Sequence, residues 1–359
     1  MYDLESNSTM TIPVIHCFDT NYVPAAAVAF LSLLEHANPA YEYRLIVLHT
    51  DITEEQQLRL KKIVHVFPHA TLEFLNMEGR LSSEFGNLKN KGHFSKEMLY
   101  KLIIPDLFPR MDKAIVSDVD VLYRGDISTL LLDFEEKGAD KEFLLAGVSY
   151  SQFDFKYGKE EPYLSFSRQY DVFGAQQRKI LGKGIGAGLL VMNLGLMRRV
   201  NSTRAFLAFL SENEGKLVQP EQDVLNLCCY PHIKYLPPQD MVCTYLWQWT
   251  TEEERLQIEN LLNRPVQVHF ATAVKPWNAS DCLFIEEWYS YLIRTPFLGD
   301  VLKNGGGYAP KEIHLGKKGM LKLCNGKLPF LKYKEKNGAM SLKLLGFLPL
   351  GRALVRRQG

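Results

Sequence analysis

Four short apolar runs punctuate the first third of the chain: TIPVIHCF (11–18), YRLIVLHT (43–50), TLEFLNM (71–77) and KAIVSDVDVLY (113–123). Each has the length and the Val/Ile/Leu content of a strand, and the segments between them are too long for hairpin turns. DTNYVPAAAVAFLSLLEHA opens on a polar turn and predicts an Ala-rich helix from about Val23. DITEEQQLRLKKIVHVF has Asp51 or Thr53 as its cap, acids in the first turn and lysines later, which suits the helix dipole. SKEMLYKLIIPDLF (95–108) predicts a third helix, stopped near Pro109. Strands that are apolar throughout, alternating with helices, build a mostly parallel sheet covered on both faces. Ligands bind such sheets at the carboxyl ends of the strands.

The fourth run ends in two acids where burial should least favour them. Asp118 and Asp120 are separated only by Val119, after Ala114, Ile115 and Val116. Read as one strand, residues two apart share a side, so the two carboxylates project together. Unpaired, they would repel each other and resist burial. A hard divalent cation such as Mg²⁺ or Mn²⁺ resolves the conflict and keeps positions open for diphosphate oxygens. Two other readings stand beside it. One is an ordinary surface turn. The other is a phosphohydrolase nucleophile loop, which places the same triplet near its N-terminus with a second acid pair downstream; no such pair is found here.

After about residue 140 the pattern loosens. FLLAGVSYS (143–151) reads as a strand, and GKGIGAGLLVMNLGLMRR (182–199) sets five glycines around another. NSTRAFLAFLSENEG and QPEQDVLNLCCY (219–230) read as helices, the second with Pro220, Glu221 and Asp223 in its first turn. No internal repeat occurs, and no linker precedes Gly305–Gly307.

Charge separates the chain's end from its body. Residues 311–359 hold 12 Lys and Arg against 2 Asp and Glu, while residues 1–310 hold 30 against 39. Lysines interleave with apolar clusters in GMLKL, KLPFLKY and SLKLLGFLPLGRALVRR. Basic residues mixed with apolar ones suit a segment lying on an anionic membrane surface; a helical hairpin with a solvated basic face is the alternative. The acidic body and the absence of a nucleic-acid module argue against nucleic acid. The polar, acidic start does not read as a secretory signal, and no apolar run reaches the roughly 18 residues of a membrane span. The six cysteines form no CxxC pair and read as reduced cytosolic core residues.

GHFSKEMLYKLIIPDLFPRMDKAIVSDVDVLYRGDISTLL, GAGLLVMNL, EQDVLN and HFATAVKPW occur in an order that resembles glycosyltransferase family 8, which includes bacterial lipopolysaccharide glucosyl- and galactosyltransferases and glycogenin. The resemblance spans roughly residues 12–280 and includes the opening FDTNYVPAAAVAFLSLLEH. It implies a single GT-A type α/β domain over residues 1–305; residues 306–359, expected as a basic helical extension, resemble only in character the basic C-terminal segments that attach some members to the inner membrane. It implies Mn²⁺ (or Mg²⁺) on Asp118, Asp120 and His269, bridging the diphosphate of a UDP-sugar, with Val119 alongside. Lys275 of the KPW segment would meet the leaving diphosphate. Asp19 and Asn21 would contact the uridine, Phe94 would flank the uracil, and Lys101 would lie near the ribose or base. Gln222 would lie below the sugar ring and Glu221 beside it, in a retaining transfer by front-face substitution.

Each residue also has a plainer role: capping for Asp19 and Asn21, a solvated helix lysine for Lys101, dipole stabilisation for Glu221. The chain departs from the family at Gly186, where relatives carry asparagine, at Ser149 or Tyr150 in place of aspartate, and at Thr272 in place of glycine. The expected activity is transfer of glucose or galactose from UDP to a glycan or lipid-linked glycan, at the cytosolic face of a bacterial inner membrane. A nucleotide-sugar-binding protein without turnover is the alternative.

Overall fold

In the computed structural model, residues 9–80, 96–135, 143–149, 170–244, 266–271, 273–279, 282–304, 318–323, 328–336 and 339–344 are described. The chain divides into two compact units, Met1–Thr272 and Ala273–Gly359.

The first unit is built on strands β1 (Thr11–Cys17), β2 (Glu42–His49), β3 (Ala70–Asn76), β4 (Ala114–Ser117), β6 (Leu145–Ser149), β7 (Ile185–Met192) and β8 (Ile233–Tyr235). They form one sheet in the order β3-β2-β1-β4-β7-β6-β8. Every pairing is parallel except the two made by β7, which runs against its neighbours β4 and β6. β5 (Val121–Tyr123), β9 (Met241–Cys243) and β10 (Gln267–His269) form a second sheet, with β10 in the middle.

The strand character follows from the residues. β1 and β2 are buried along almost their whole length, as strands covered on both faces must be. β3, at the edge, alternates between exposed and partly covered positions. Helix α1 (Val23–His36) is buried at eleven of its fourteen residues and packs on β5. Helix α2 (Glu54–Val64) starts with a capping box, Thr53 bonding Gln56 N–H and Gln56 bonding Thr53 N–H, so Thr53 rather than Asp51 is the cap.

Two expectations change. Residues 95–108 were read as one helix; the described part is a 3₁₀ segment, Lys96–Leu102, followed by a single turn, Ile104–Leu107. Pro105 explains the break. In a continuous α-helix its ring would clash with the carbonyl four residues back, on Lys101. The extension was expected to be helical. Over its described residues it is a three-stranded antiparallel sheet, β11 (Lys318–Leu323), β12 (Leu328–Lys336) and β13 (Ala339–Leu344). Lysine and leucine alternate there with the period of a strand, not a helix.

The second unit also contains helices Ile285–Leu292 and Leu298–Asn304, and within it the rings of Trp277 and Trp288 stand 5.5 Å apart. Among the described residues, no helix is long and apolar enough to cross a membrane.

Helix Pro220–Cys229 is fixed to β7 by two side chains on one face. Gln222 Oε1 accepts from Ala187 N–H (2.9 Å). Asn226 accepts from Ile185 N–H (2.8 Å) and donates to Ile185 C=O (3.0 Å) and Gln222 C=O (2.9 Å). Four helical residues rise about 6 Å and two strand residues about 6.6 Å, so the spacings match. Replacing Asn226 with Leu removes the buried side-chain partner of both Ile185 backbone groups. Stability should fall by about 2 kcal/mol or more, read from the urea unfolding midpoint.

Candidate metal centre and donor site

The acid pair does not lie on one strand. The chain leaves β4 after Ser117, turns through Asp118, Val119 and Asp120, and re-enters as β5 in the other sheet. The backbone bonds locate the change of partner. Asp118 N–H donates to Gly188 C=O of β7 (3.1 Å), whereas Asp120 C=O accepts from Phe270 N–H, just past β10 (2.9 Å). One acid is therefore held by the first sheet and the other by the second. The turn, not strand periodicity, brings their carboxylates together.

His269 ends β10, opposite Val121 of β5. Its Nε2 lies 3.5 Å from Asp118 Oδ2 and 3.3 Å from Asp120 Oδ1. One donor atom from each of the three residues falls within 4.8 Å of the others. Ligands bonded at about 2.1 Å to an octahedral ion stand roughly 3 Å apart, so the two spacings fit a small divalent ion. Two carboxylate oxygens and an imidazole nitrogen, with half the positions left open, suit a metal that must also take oxygens from a ligand.

Electrostatic compensation is built in. Lys101 was read as near the nucleoside or as a solvated helix lysine; it is fully buried. Its Nζ donates to Asp118 Oδ1 (2.6 Å) and Ala187 C=O (3.0 Å). Burial opposes its charge, but Asp118 and Glu221 outweigh burial and raise its pKa. His269 is similar: burial opposes the imidazolium, and the Asp120 carboxylate carries it up to about 10. Burial also lifts the Glu221 carboxyl to about 6, with Lys101 pulling the other way. A cation bound at the acid pair would take over the role of that imidazolium proton.

The approach of β7 makes the site possible. A Cβ on Gly188 would lie 2.3 Å from His269 ring atoms, so the imidazole occupies the volume any side chain at 188 would need. A Cβ on Gly186 would meet Met241 Cε at 3.1 Å, with Gln222 Oε1 at 3.9 Å. The other ring nitrogen of His269, Nδ1, lies 3.9 Å from Cys243 Sγ.

The remaining expected residues are distributed as follows. Asp19 caps the 3₁₀ turn Thr20–Tyr22 at the end of β1 by accepting from Asn21 N–H (2.9 Å), and the Asn21 side chain is exposed. Val119 is buried between the acids. Phe94 lies outside the described residues. Glu221 and Gln222 are buried in the first turn of their helix. Lys275 belongs to the second unit, where its backbone N–H donates to Asn278 Oδ1 (2.7 Å). Sequence reasoning missed Tyr22, whose phenol is raised above its usual pKa by burial and by Asp120, Asp118 and Asp19. Its only signal was its place in the DTNY turn.

The family model for glycosyl transferase family 8 matches residues 13–281, and the chain belongs to that family. Among curated relatives it is 25% identical over 292 residues to general stress protein A of Bacillus subtilis (strain 168), covering 79% of this chain and 93% of that one. It is 21% identical over 266 residues to lipopolysaccharide 1,2-glucosyltransferase of Escherichia coli, covering 72% and 71%. Of solved structures, the galactosyltransferase LgtC in complex with donor and acceptor sugar analogues superposes with a TM-score of 0.61 at 18% identity, covering 81% of this chain and 99% of that one. The bifunctional glycosyltransferase WbbM superposes at 0.65 with 20% identity, covering 82% of this chain; the match spans about half of WbbM (52%). The fold is GT-A like, and the chain is a glycosyltransferase by family.

Because His269 fills the place of a side chain at 188, Gly188→Ala should displace the imidazole. Affinity for a divalent cation, with Mn²⁺ as the probe, should drop at least about tenfold by calorimetry, with the circular dichroism spectrum retained.

Proposed function

We propose that the protein is a Mn²⁺-dependent retaining hexosyltransferase that uses a UDP-sugar, glucose or galactose by family default, and a glycan or lipid-linked glycan acceptor. The observation that carries this reading is the convergence of Asp118, Asp120 and His269 beyond the end of β4, with one donor atom each within 4.8 Å. A bound Mn²⁺, or Mg²⁺, would supply positive charge to the diphosphate as UDP departs. Lys101 holds Asp118 in place, and Lys275 is assigned to the leaving diphosphate. Asp19 and Asn21, at the end of β1, are assigned to the nucleoside, with Val119 and Phe94 beside it.

Gln222 and Glu221 are assigned to the sugar. Gln222 Oε1 is engaged by Ala187 N–H, so the amide presents its N–H₂ end as a hydrogen-bond donor. That end suits a sugar or diphosphate oxygen and makes Gln222 unsuited to act as a nucleophile, which favours front-face substitution. Glu221, buried beside Lys101, would accept from a hydroxyl.

The name of the E. coli relative supports a place in surface polysaccharide or lipopolysaccharide synthesis. The basic and apolar composition of residues 311–359 supports attachment of residues 306–359 to an anionic membrane surface at its cytosolic side. A second reading, binding of a nucleotide-sugar without turnover, is favoured by Gly186 and by Ser149, whose hydroxyl donates to Lys183 C=O (3.2 Å).

A screen of UDP-sugars for Mn²⁺-dependent UDP release should find at least one substrate; tight UDP binding with no release from any sugar would favour the second reading. The double variant Asp118→Asn, Asp120→Asn should remain folded and lose Mn²⁺-dependent UDP binding. Truncation after residue 310 should release the protein from anionic vesicles in a flotation assay without lowering the UDP affinity.

A further inference from the structure

Three strands meet at the metal centre. Asp118 follows β4, Asp120 precedes β5, and His269 ends β10. β4 belongs to one sheet and the other two to another, so strand pairing alone does not lock the ligands together. One side-chain atom does span the joint. Ser117, the last residue of β4, is fully buried. Its Oγ accepts from Tyr123 O–H of β5 (2.6 Å) and from Gln267 Nε2–H of β10 (2.8 Å), and donates to Asp118 C=O (2.9 Å). Its carbonyl accepts from His16 Nδ1–H of β1 (2.8 Å). Tyr123 and Gln267 are direct cross-strand partners, and His269 lies two residues past Gln267.

We infer that Ser117 is a positioning residue for the metal centre, a hydroxyl that fixes Asp118 against Asp120 and His269 before any ion binds. The inference rests on the metal-dependent reading above. The hydroxyl's bonding capacity is fully used, two bonds accepted and one donated. A buried hydroxyl with all its bonds made favours one arrangement of the strands that meet at it. Asp118 is tied at its own carbonyl, β5 through Tyr123 and β10 through Gln267. Removing Oγ leaves all three partners without it and lets the second sheet shift relative to β4. Such a shift separates His269 and Asp120 from Asp118, while each acid keeps its own backbone bond. Positioning groups outside the ligand set commonly change metal affinity by about 10–100-fold when removed.

The test is a titration of the full-length protein with Mn²⁺, free ion being read by electron paramagnetic resonance, with the spectrum of bound Mn²⁺ recorded at saturation. Ser117→Ala should weaken binding about tenfold or more and broaden the bound-ion spectrum. Tyr123→Phe, which removes one of the three bonds and keeps the ring, should have a smaller effect in the same direction. It also serves as the decisive variant if Ser117→Ala does not fold. Thr53→Ala, which loses a helix cap away from the joint, should lower the melting temperature without changing either metal readout. If Ser117→Ala and Tyr123→Phe lower the melting temperature yet bind Mn²⁺ within twofold of the unaltered protein with an unchanged spectrum, the hydroxyl is structural and the inference fails. Failure of the unaltered protein to bind Mn²⁺ would be a different result, overturning the metal-dependent reading itself.

Discussion

Two carboxylates are held side by side where the chain crosses from one sheet to another, and their mutual repulsion governs what surrounds them. Lys101 takes one oxygen of Asp118 from a fully buried position, and His269 faces the other oxygen and Asp120. Removing either basic group would leave negative charge uncompensated in a partly desolvated site, which costs more than a missing contact. The acids are therefore not surface residues that happen to lie close. They are tolerated because a lysine on the 3₁₀ segment and a histidine on the second sheet were both brought to them.

That requirement reaches into the fold. Lys101 reaches Asp118 from a 3₁₀ segment, which Pro105 keeps from running on as one α-helix into Ile104–Leu107. His269 arrives because β7 carries glycine where the ring must lie. Gly188 also supplies the carbonyl that receives Asp118 N–H, so one residue gives way to the histidine and anchors the first acid. Ala187, next to it, accepts from Lys101 and donates to Gln222. Three consecutive positions, 186–188, thus touch the second sheet, the buried cation and the helix Pro220–Cys229. The helix with Glu221 and Gln222 is registered to the metal centre through that strand.

Much of the scaffold was legible in the sequence, because local chemistry and global fold agreed there. β1, β2 and β3 are apolar runs that became strands within a residue of their expected limits, and of the two cap candidates, Asp51 and Thr53, the structure takes Thr53. The break after Ser117 was not legible. Apolar residues continue on both sides of the acids, and nothing in IVSDVDVLY states that hydrogen-bond partners change from β7 to β10 between Asp118 and Asp120. The conclusion that the carboxylates converge survived, but the strand periodicity behind it did not. The extension misled differently: basic and apolar character was read, while the period of two in GMLKL and FLKYK was overlooked. Lys101 escaped because a lysine's burial is set by tertiary partners more than 80 residues away, at Ala187, and no window of sequence contains them. His269 was reached through resemblance, since a histidine after VQV has no intrinsic mark of a ligand.

The departure at Gly186 takes on a physical meaning once β7 is placed. Positions 186 and 188 lie on the same side of the strand and both face the second sheet, 188 toward His269 and 186 toward Met241. The volume that an asparagine would claim at 186 is bordered by the Met241 thioether, 3.1 Å from where its Cβ would be, and by the carbonyl of Val148 at 4.0 Å. The space beside Gly186 is thus filled from β9 by an apolar side chain. An asparagine there would need Met241 to yield, which a flexible methionine end can do. Position 186 therefore differs from the acid pair in kind. The surroundings of Asp118 and Asp120 fix their identity through charge, whereas those of Gly186 fix only how much space is left.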